Sequence, residues 1–556
     1  MALSRATFAF LQGPIASQGS SQSDKIKHLQ NANSLSSTNN KWSISSYETL
    51  VSTPSKDHIH PPGKRNFATE DDIRGRHERR LEEVKQLLKQ VRGDSLESLV
   101  MVDALQRLAI DYHFEDEIEA ILRRHFLIST SRSQSHRVDA DNPHEAALRF
   151  RLLRQEGYPD SDILGLTSLF EASQLGTEGE DVLDEVGESI GQRLFASLAD
   201  LDHVQARFVR NSLNNPFHKS LARFTANDFL RNFVVRSYSW TKNLGELAHL
   251  DMNIVGSVHQ REILQVSNWW NDLGMAKELK YARDQPMKWY MWPMAILTEI
   301  GLSQERVLVT KPISFIYIID DIFDVYGTID ELTLFTDVVN RWECTEKDNI
   351  PDYMRMCFHA LDDITNEVSL AVYQNHGWNP LYSLRKTWAS LLSAFLVEAT
   401  WLASGHYPTT QNYLDNANVS SGVHVVLVHL FFLLGERIIS HSVNHLENTP
   451  EFFFPRHLFF DEFQDGRDGS YVECYKQEFQ GSSEEVARDH VKKMISEAWK
   501  RLNKACLYPH PFTKSFTKTA LNTARMVPLM YNYQDNHSLP LLEHHMKSLL
   551  LEDPSF

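Results

Sequence analysis

Cysteine is scarce in this chain, and its spacing argues against two classes of small domain. The 556 residues contain four cysteines: Cys344, Cys357, Cys474 and Cys506. No two of them form the CxxC pair that often binds zinc, and all four are too scattered for a disulfide framework. The sequence therefore disfavours both a disulfide-stabilised scaffold and a zinc knuckle.

An excess of positive charge and a long hydrophobic run are also missing. Lysine and arginine number 56 against 73 acidic residues, which gives a formal net charge of −17. Proteins that bind nucleic acids usually carry a basic surface, so we expect no nucleic-acid partner. The longest clean apolar run, Val425 to Gly435, is interrupted by His429 and is too short to cross a bilayer. We therefore predict no membrane span.

The chain does contain enough apolar residues for large packed cores, and they recur at helical spacing. Apolar residues make up 42% of the sequence and charged residues 23%, as in ordinary globular proteins. Apolar residues recur at helical spacing from Ile73 to Val91 and from Leu105 to Phe126. No stretch shows the alternation of a strand. The sequence predicts an all-α fold.

Aromatic content and serine content divide the chain into three parts. Ten of the eleven tryptophans lie at or beyond Trp240, so we place a boundary near residues 240–256, between helical domains at 48–250 and 251–556. Residues 1–47 contain eleven serines and one acidic residue, which is typical of an organelle transit peptide. This segment predicts a plastid protein. The alternative is a disordered tail on a cytosolic protein.

The strongest local signal is an acidic motif that follows an apolar run. Residues 313–319 are almost entirely apolar and precede Asp320, Asp321 and Asp324. In a regular helix Asp320 and Asp324 share one face. Carboxylates at the end of a buried helix are costly unless a cation neutralises them, and a divalent ion with oxygen ligands is a natural partner. The motif predicts a magnesium site; the alternative is a solvated acidic helix end.

A basic residue lies upstream of this motif. Arg283 belongs to the segment Arg283-Asp284-Gln285-Pro286, in which the proline marks a turn or a helix start. A guanidinium presents a planar fork that matches a phosphate group. Arg283 is therefore a candidate phosphate ligand, and the alternative is an ordinary surface arginine.

Several segments together resemble the plant terpene synthases of class I. The resemblance extends from Trp42 to the end of the chain and is specific at the level of the family. It rests on the acidic motif, on the Arg283 segment and on five further stretches: 67–73, 104–114, 420–424, 468–471 and 525–531.

This resemblance implies an architecture and a reaction. The fold would be an N-terminal α-barrel relic packed against a C-terminal α-bundle that holds the active site, usually in a monomer. Three Mg²⁺ ions, with Mn²⁺ as an alternative, would bind the diphosphate of a prenyl substrate. Asp320 and Asp324 would ligate metal, Asp321 would support the cluster, and Arg283 would stabilise the departing diphosphate. Trp289 would line the pocket; its alternative is plain core packing.

Within the family, the sequence is most similar to enzymes that make the open-chain alcohols linalool and nerolidol. The RRx8W signature of the cyclic-monoterpene group is absent, and the usual RxR motif ends in Gln285. Geranyl and farnesyl diphosphate both remain open as substrates. Ser421 lies where the family breaks a helix beside the diphosphate, although an ordinary kink uses the same residue types. Tyr531 matches an aromatic position near the pocket mouth.

The second metal motif of the family is disrupted. No register between residues 446 and 468 satisfies its pattern, and prolines interrupt the segment. One interpretation is a lesion or a gene-model error that leaves a metal poorly held and the protein catalytically impaired. The other is a rearranged metal site that uses Asp461 and Glu462, with Arg456 as a diphosphate contact. We favour the first, and both remain open at this point.

Overall fold

The computed structural model describes residues 70–93, 95–131, 163–233, 239–279, 282–435, 438–448, 471–507 and 510–530. Every regular element in these ranges is helical. The predicted all-α fold is therefore confirmed.

Within the described ranges, seven helices come before residue 240. Polar side chains start two of them: the Ser95 hydroxyl accepts from the backbone N–H of Ser98 at 3.3 Å, and Asp202 accepts from the backbone N–H groups of Val204 and Gln205. Short 3₁₀ turns at Asp111–His113 and Phe217–Lys219 join some of these helices. The helices are α1 Glu70–Gln90, α2 Leu96–Arg107, α3 Glu115–Ser131, α4 Ile163–Ser173, α5 Asp181–Ser197, α6 His203–Asn214 and α7 Ala222–Phe233.

One long helix connects the two halves of the molecule. Helix α8, Thr241–Leu273, has 33 residues. Its first part places Leu244 and Leu247 in a core with α1, α2 and α3, and its last part places Val266 and Trp270 in a much larger core formed by the second half. The predicted boundary at residue 250 thus lies inside a continuous helix, and the division into domains stays a prediction.

The second half builds the larger core. Its longest buried helix is α11, in which every residue from Leu308 to Asp321 is buried. The helices are α9 Met275–Glu278, α10 Pro286–Ile296, α11 Ser303–Asp321, α12 Ile329–Arg341, α13 Asp352–His376, α14 Leu381–Ser404, α15 Thr410–Ser420, α16 Val423–Leu434, α17 Ser440–Asn448, α18 Tyr471–Glu478, α19 Glu484–Leu507 and α20 Lys514–Met530.

One stretch of the described residues is long and apolar enough to cross a membrane. It runs through Thr410–Leu434, and 56% of its most apolar window is buried inside the protein. The stretch consists of α15 and α16, so it is longer than the apolar run seen in the sequence. A left-handed Gly422 breaks it, with φ +71°, and most of α16 lies in the larger core. A core helix is the simpler explanation of this composition.

Candidate functional site

The acidic motif lies at the end of the buried helix α11, as the sequence predicts. Asp320 and Asp321 are its last residues, and each is only 7% exposed. The helix then widens into a π turn, Ile322–Tyr326, which carries the exposed Asp324. The expectation that a regular α-helix continues through Asp324 is therefore wrong. Because a π turn adds a residue to the repeat, it changes where that carboxylate projects.

Arg283 contacts both buried carboxylates. Its Nε lies 2.7 Å from Oδ1 of Asp321, and its backbone N–H donates to Oδ2 of the same residue at 2.6 Å. Its Nη2 pairs with Asp320 and donates to the Tyr317 carbonyl at 3.2 Å. Arg283 is thus part of a buried cluster, and the alternative of an ordinary surface arginine is wrong. We call Arg283, Asp320, Asp321 and Asp324 the acidic site.

The charges of the acidic site are not balanced by Arg283. Burial raises the pKa of Asp321, and the nearby positive charge of Arg283 does not fully offset that effect. The pKa of Arg283 is raised well above its ordinary value: its own burial lowers it, and the charges of Asp321 and Asp320 outweigh that burial. Two buried carboxylates therefore share one guanidinium. Hard oxygen donors with excess negative charge fit a divalent cation of the magnesium type.

Aromatic side chains surround the acidic site on its apolar side. The Arg283 guanidinium lies 5.0 Å from the ring centroid of Tyr317, within cation–π distance. The Tyr317 hydroxyl accepts a hydrogen bond from Nε1 of Trp292 at 3.0 Å. Tyr317 and Trp292 were not recognised from the sequence. Helical spacing offers one signal, since Tyr317 is three residues before Asp320.

Trp289 lies deeper than its predicted position in a pocket lining. Its side chain is 0% exposed and packs edge-on against Trp270, with ring centroids 4.8 Å apart. Trp292, on the next turn of the same helix, keeps 7% exposure and contacts Tyr317. The packing of Trp289 favours the core alternative, and its role in a pocket stays a prediction.

Ser421 lies at a helix break that packs against α11. A Cβ atom on the neighbouring Gly422 would come within 2.6 Å of the Ile316 side chain, one turn before Asp320. This close approach and the positive φ both require glycine. The Ser421 hydroxyl donates to the Asn418 carbonyl at 3.2 Å within its own helix. The break is near the acidic site, and a substrate contact of Ser421 stays a prediction.

Four predicted site residues lie outside the described residues. They are Arg456, Asp461, Glu462 and Tyr531. Both interpretations of the disrupted second metal motif therefore stay open, and so does the role of Tyr531.

A second group of titratable side chains meets where the two cores join. The ligand atoms of His77, His113 and Asp251 lie within 4.8 Å of one another, a spacing that could hold a metal ion. Asp251 also accepts from the Tyr112 hydroxyl, and Nη1 of Arg223 donates to it at 3.3 Å. We call these five residues the Asp251 cluster. A guanidinium already supplies a positive charge there, which disfavours a further cation.

Family models match two regions of the chain. Residues 54–161 match the terpene synthase N-terminal domain, and residues 271–501 match the metal-binding domain of the terpene synthase family. Among curated relatives, an (E)-nerolidol synthase of Cannabis sativa is 48% identical over 82% of this chain and 88% of its own length. The chloroplastic S-(+)-linalool synthase of Arabidopsis thaliana is 41% identical over 90% of both chains.

Solved structures show the same architecture. Isoprene synthase from grey poplar, in complex with three Mg²⁺ ions and dimethylallyl-S-thiolodiphosphate, is 33% identical to this chain. The match covers 87% of this chain and 97% of the poplar chain, with a TM-score of 0.75. The predicted class I terpenoid synthase fold is thereby confirmed, and the matched metal-binding domain indicates use of a divalent metal. The chain belongs to the plant terpene synthase family.

Proposed function

We propose that the protein ionises geranyl or farnesyl diphosphate in a magnesium-dependent reaction and releases an acyclic tertiary alcohol. The observation that carries this proposal is the acidic site itself. Two buried carboxylates end an apolar helix and share one guanidinium. Such a site combines metal ligands with a phosphate-binding cation in surroundings of low polarity, where electrostatic stabilisation is strong.

Asp320 and Asp324 would hold metal, and Asp321 would support them. Three Mg²⁺ ions are expected, with Mn²⁺ as an alternative. When bound, such ions neutralise the charge that develops on a leaving diphosphate. Asp321 supports the cluster by fixing Arg283 through two contacts, one to the side chain and one to the backbone. The carboxylate thus orients the guanidinium rather than competing for substrate.

Arg283 would bind the diphosphate as it departs. Its planar fork can donate to two phosphate oxygens at once. In the ionisation step the carbon–oxygen bond breaks, and its electron pair stays on the diphosphate, which leaves an allylic cation. Tyr317 presents its aromatic ring beside the guanidinium, with Trp292 bonded to its hydroxyl, and π faces stabilise cations. Water then attacks the tertiary carbon and loses a proton.

Two features support an open-chain alcohol. The relatives include a nerolidol synthase and a linalool synthase. The position after Asp284 is Gln285, so the second arginine of the RxR motif is missing. Fewer cationic contacts would hold the released diphosphate less tightly, which favours early capture of the cation by water over isomerisation and ring closure.

Plastid localisation and a monomeric state complete the proposal. The linalool synthase relative is chloroplastic, and residues 1–47 have the composition of a transit peptide. Geranyl diphosphate would be the main substrate in a plastid. A cytosolic protein would instead meet farnesyl diphosphate.

The test is a product assay on purified protein that lacks residues 1–47. Geranyl or farnesyl diphosphate is supplied with Mg²⁺ or with a chelator, and volatile products are identified by gas chromatography. We expect linalool or nerolidol that depends on Mg²⁺ and disappears in the Asp320→Asn variant. Cyclic products would overturn the water-capture step, and product formation in the chelator would overturn the metal role.

A catalytically impaired protein is the second candidate function. The disrupted second metal motif favours it. Folded protein would then bind a prenyl diphosphate in calorimetry with Mg²⁺ and yield no product. The transcript across residues 448–470 would be resequenced before this function is assigned.

A further inference from the structure

A cavity of about 440 Å³ lies between the two halves of the molecule, away from the acidic site. Helices α2 and α7 form one side, and α10 and α20 form the other. A neighbouring cavity of about 250 Å³ shares part of this wall. Arg525 on α20 lines both cavities. The family reaction described above assigns no role to this space.

Arg525 is a cation whose partners are all neutral. Its Nε donates to the His218 carbonyl at 2.7 Å, and its Nη1 donates to Oδ1 of Asn522 at 2.9 Å. Within the described chain, no carboxylate forms an ion pair with it. Burial lowers the pKa of Arg525 to about 10, and the charge of Asp111 offsets only part of that effect. Buried cations are normally paired, so the remaining guanidinium donors suit an anion.

Lys518 adds a second cation on the same face of α20. It precedes Arg525 by seven residues, which is two helical turns. Its side chain is half-buried, and it makes no ion pair with any described residue. Lys518 and Arg525 therefore both line the cavity.

The other charges around the cavity are largely balanced. Arg107 donates to both oxygens of Asp103 at 3.0 and 2.9 Å, and Arg223 pairs with Asp251. Glu171 accepts from the backbone N–H of Phe217; burial raises its pKa, and the charge of Arg107 acts against that effect.

Among the described residues, this leaves two cations without an ion pair, Lys518 and Arg525, in a cavity that Asp111 and Glu171 also line. His218 does not change the balance, because burial lowers its pKa to about 4 and keeps the ring neutral. The α20 side of the cavity thus carries two cations that are available to an anion.

The rest of the wall is apolar. Aromatic and aliphatic side chains from α7, α10 and the turn before α7 surround the cationic end: Phe217, Leu221, Phe224, Met294 and Ala295. A pocket with a few polar groups at one end and apolar walls elsewhere is the usual form of a small-molecule site. The preferred ligand would carry an oxyanion head and an apolar body.

We propose that this cavity is a second binding site, which takes an amphipathic organic anion through Lys518 and Arg525. The head is a phosphate monoester or a carboxylate, and the body packs against the phenylalanines. The proposal is independent of the acidic site and holds whether or not the chain is catalytically active.

The test is calorimetric titration of the metal-free protein with octyl phosphate, octanoate, octanol and inorganic phosphate. Four variants are compared with the wild type: Lys518→Met, Arg525→Gln, Lys514→Met and Asp320→Asn. Lys514 is the matched control, since it lies on the same helix but is 94% exposed. Asp320→Asn shows whether a ligand binds at the acidic site instead. Circular dichroism checks that each variant is folded.

We expect one equivalent of octyl phosphate or octanoate to bind, and the tighter of the two identifies the head group. Affinity falls about tenfold in Lys518→Met, since a hydrogen bond to a charged group is lost. It falls further in Arg525→Gln, and it is unchanged in Lys514→Met and Asp320→Asn. Arg525→Gln also removes contacts to His218 and Asn522. If that variant is unfolded, the Lys518→Met result decides the test. Equal binding by octanol, equal affinity in Lys518→Met, or loss in Asp320→Asn would overturn the proposal.

Discussion

The Asp251 cluster and the acidic site are both buried groups of charged side chains, but their carboxylates are neutralised in opposite ways. In the Asp251 cluster one carboxylate receives the Tyr112 hydroxyl, His113 at 3.0 Å and Arg223 at 3.3 Å. In the acidic site two carboxylates share the single guanidinium of Arg283. The Asp251 carboxylate therefore has several donors to itself, whereas Asp320 and Asp321 divide one guanidinium between them.

The pKa values reflect this difference. Burial alone would raise the pKa of Asp251, but the hydrogen bond from His113, the nearby His77 ring and the charge of Arg223 bring it well below its ordinary range. Burial raises the pKa of Asp321, and Arg283 does not reverse the shift. A saturated carboxylate stabilises the fold, whereas an under-neutralised pair is ready for a ligand. The comparison thus predicts a structural centre at Asp251 and a reactive one at the acidic site.

The largest expected effect comes from removing charge at the acidic site. Asp320→Asn should lower product formation about a thousandfold, because a metal ligand is lost where charge develops. Its thermal midpoint should stay the same or rise, since one under-neutralised carboxylate is removed. Product assays and thermal melts check this. Asp330→Asn, an exposed carboxylate in the first turn of the next helix, is the control. A variant that unfolds would contradict the reactive assignment.

Removing charge at the Asp251 cluster should have the opposite result: stability falls and the products stay the same. Asp251→Asn should lower the free energy of unfolding by about 3 kcal/mol, because Arg223 is left buried without its carboxylate. The folded fraction should keep its product profile. Urea denaturation measures the loss, and Asp272→Asn, exposed on the same helix, is the control. If stability were unchanged, the cluster would not be a structural centre.

The dependence of stability on acid pH distinguishes the buried carboxylates from the buried histidines. Burial lowers the pKa of His429 to about 4 from an unfolded value of 6.5. The unfolded chain therefore binds more protons between pH 6.5 and 4, and stability is lost as pH falls through that window, by up to about 3 kcal/mol. Asp251, with its lowered pKa, keeps its charge throughout this window. Protonation of Asp321, whose pKa is raised, acts in the stabilising direction as pH falls.

The variant that tests this assignment is His429→Leu. It should flatten the dependence of unfolding free energy on pH between 6.5 and 4 by up to about one proton, measured by urea titrations at several pH values. His441→Leu, an exposed histidine, should leave the slope unchanged. An unchanged slope in His429→Leu would assign the acid sensitivity to other groups, among them His218 and His259, whose pKa values burial also lowers to about 4.

The sequence predicted the buried helix end that carries Asp320 and Asp321, because its signal is local. An apolar run followed by Asp320 and Asp321 predicts a buried helix end, and the helix places both carboxylates there. The π turn at Asp324 could not be predicted, since the same residues suit a regular helix and the choice depends on tertiary packing. The pairing of Arg283 with the aspartates also needed the folded chain, although phosphate chemistry had already singled out this arginine.

The Asp251 cluster was beyond sequence analysis for a different reason. His77, His113 and Asp251 come from three separated segments, so no spacing rule connects them. Trp289 illustrates a further limit. Nearly every residue of α10 is buried, and a helix that is apolar on all sides gives no periodic signal for which tryptophan faces a pocket. Packing against Trp270 and Tyr317 decides between Trp289 and Trp292.

The smallest expected effect is the loss of one donor from the saturated carboxylate. Tyr112→Phe removes a hydroxyl that donates to Asp251 and should cost about 1 kcal/mol of unfolding free energy. His113 and Arg223 still neutralise the carboxylate, so the loss should be well below that of Asp251→Asn. Urea denaturation measures it, with the exposed Tyr407→Phe as control. If Tyr112→Phe cost as much as Asp251→Asn, the donors would act as one indivisible unit, and the remaining donors would not suffice for the carboxylate.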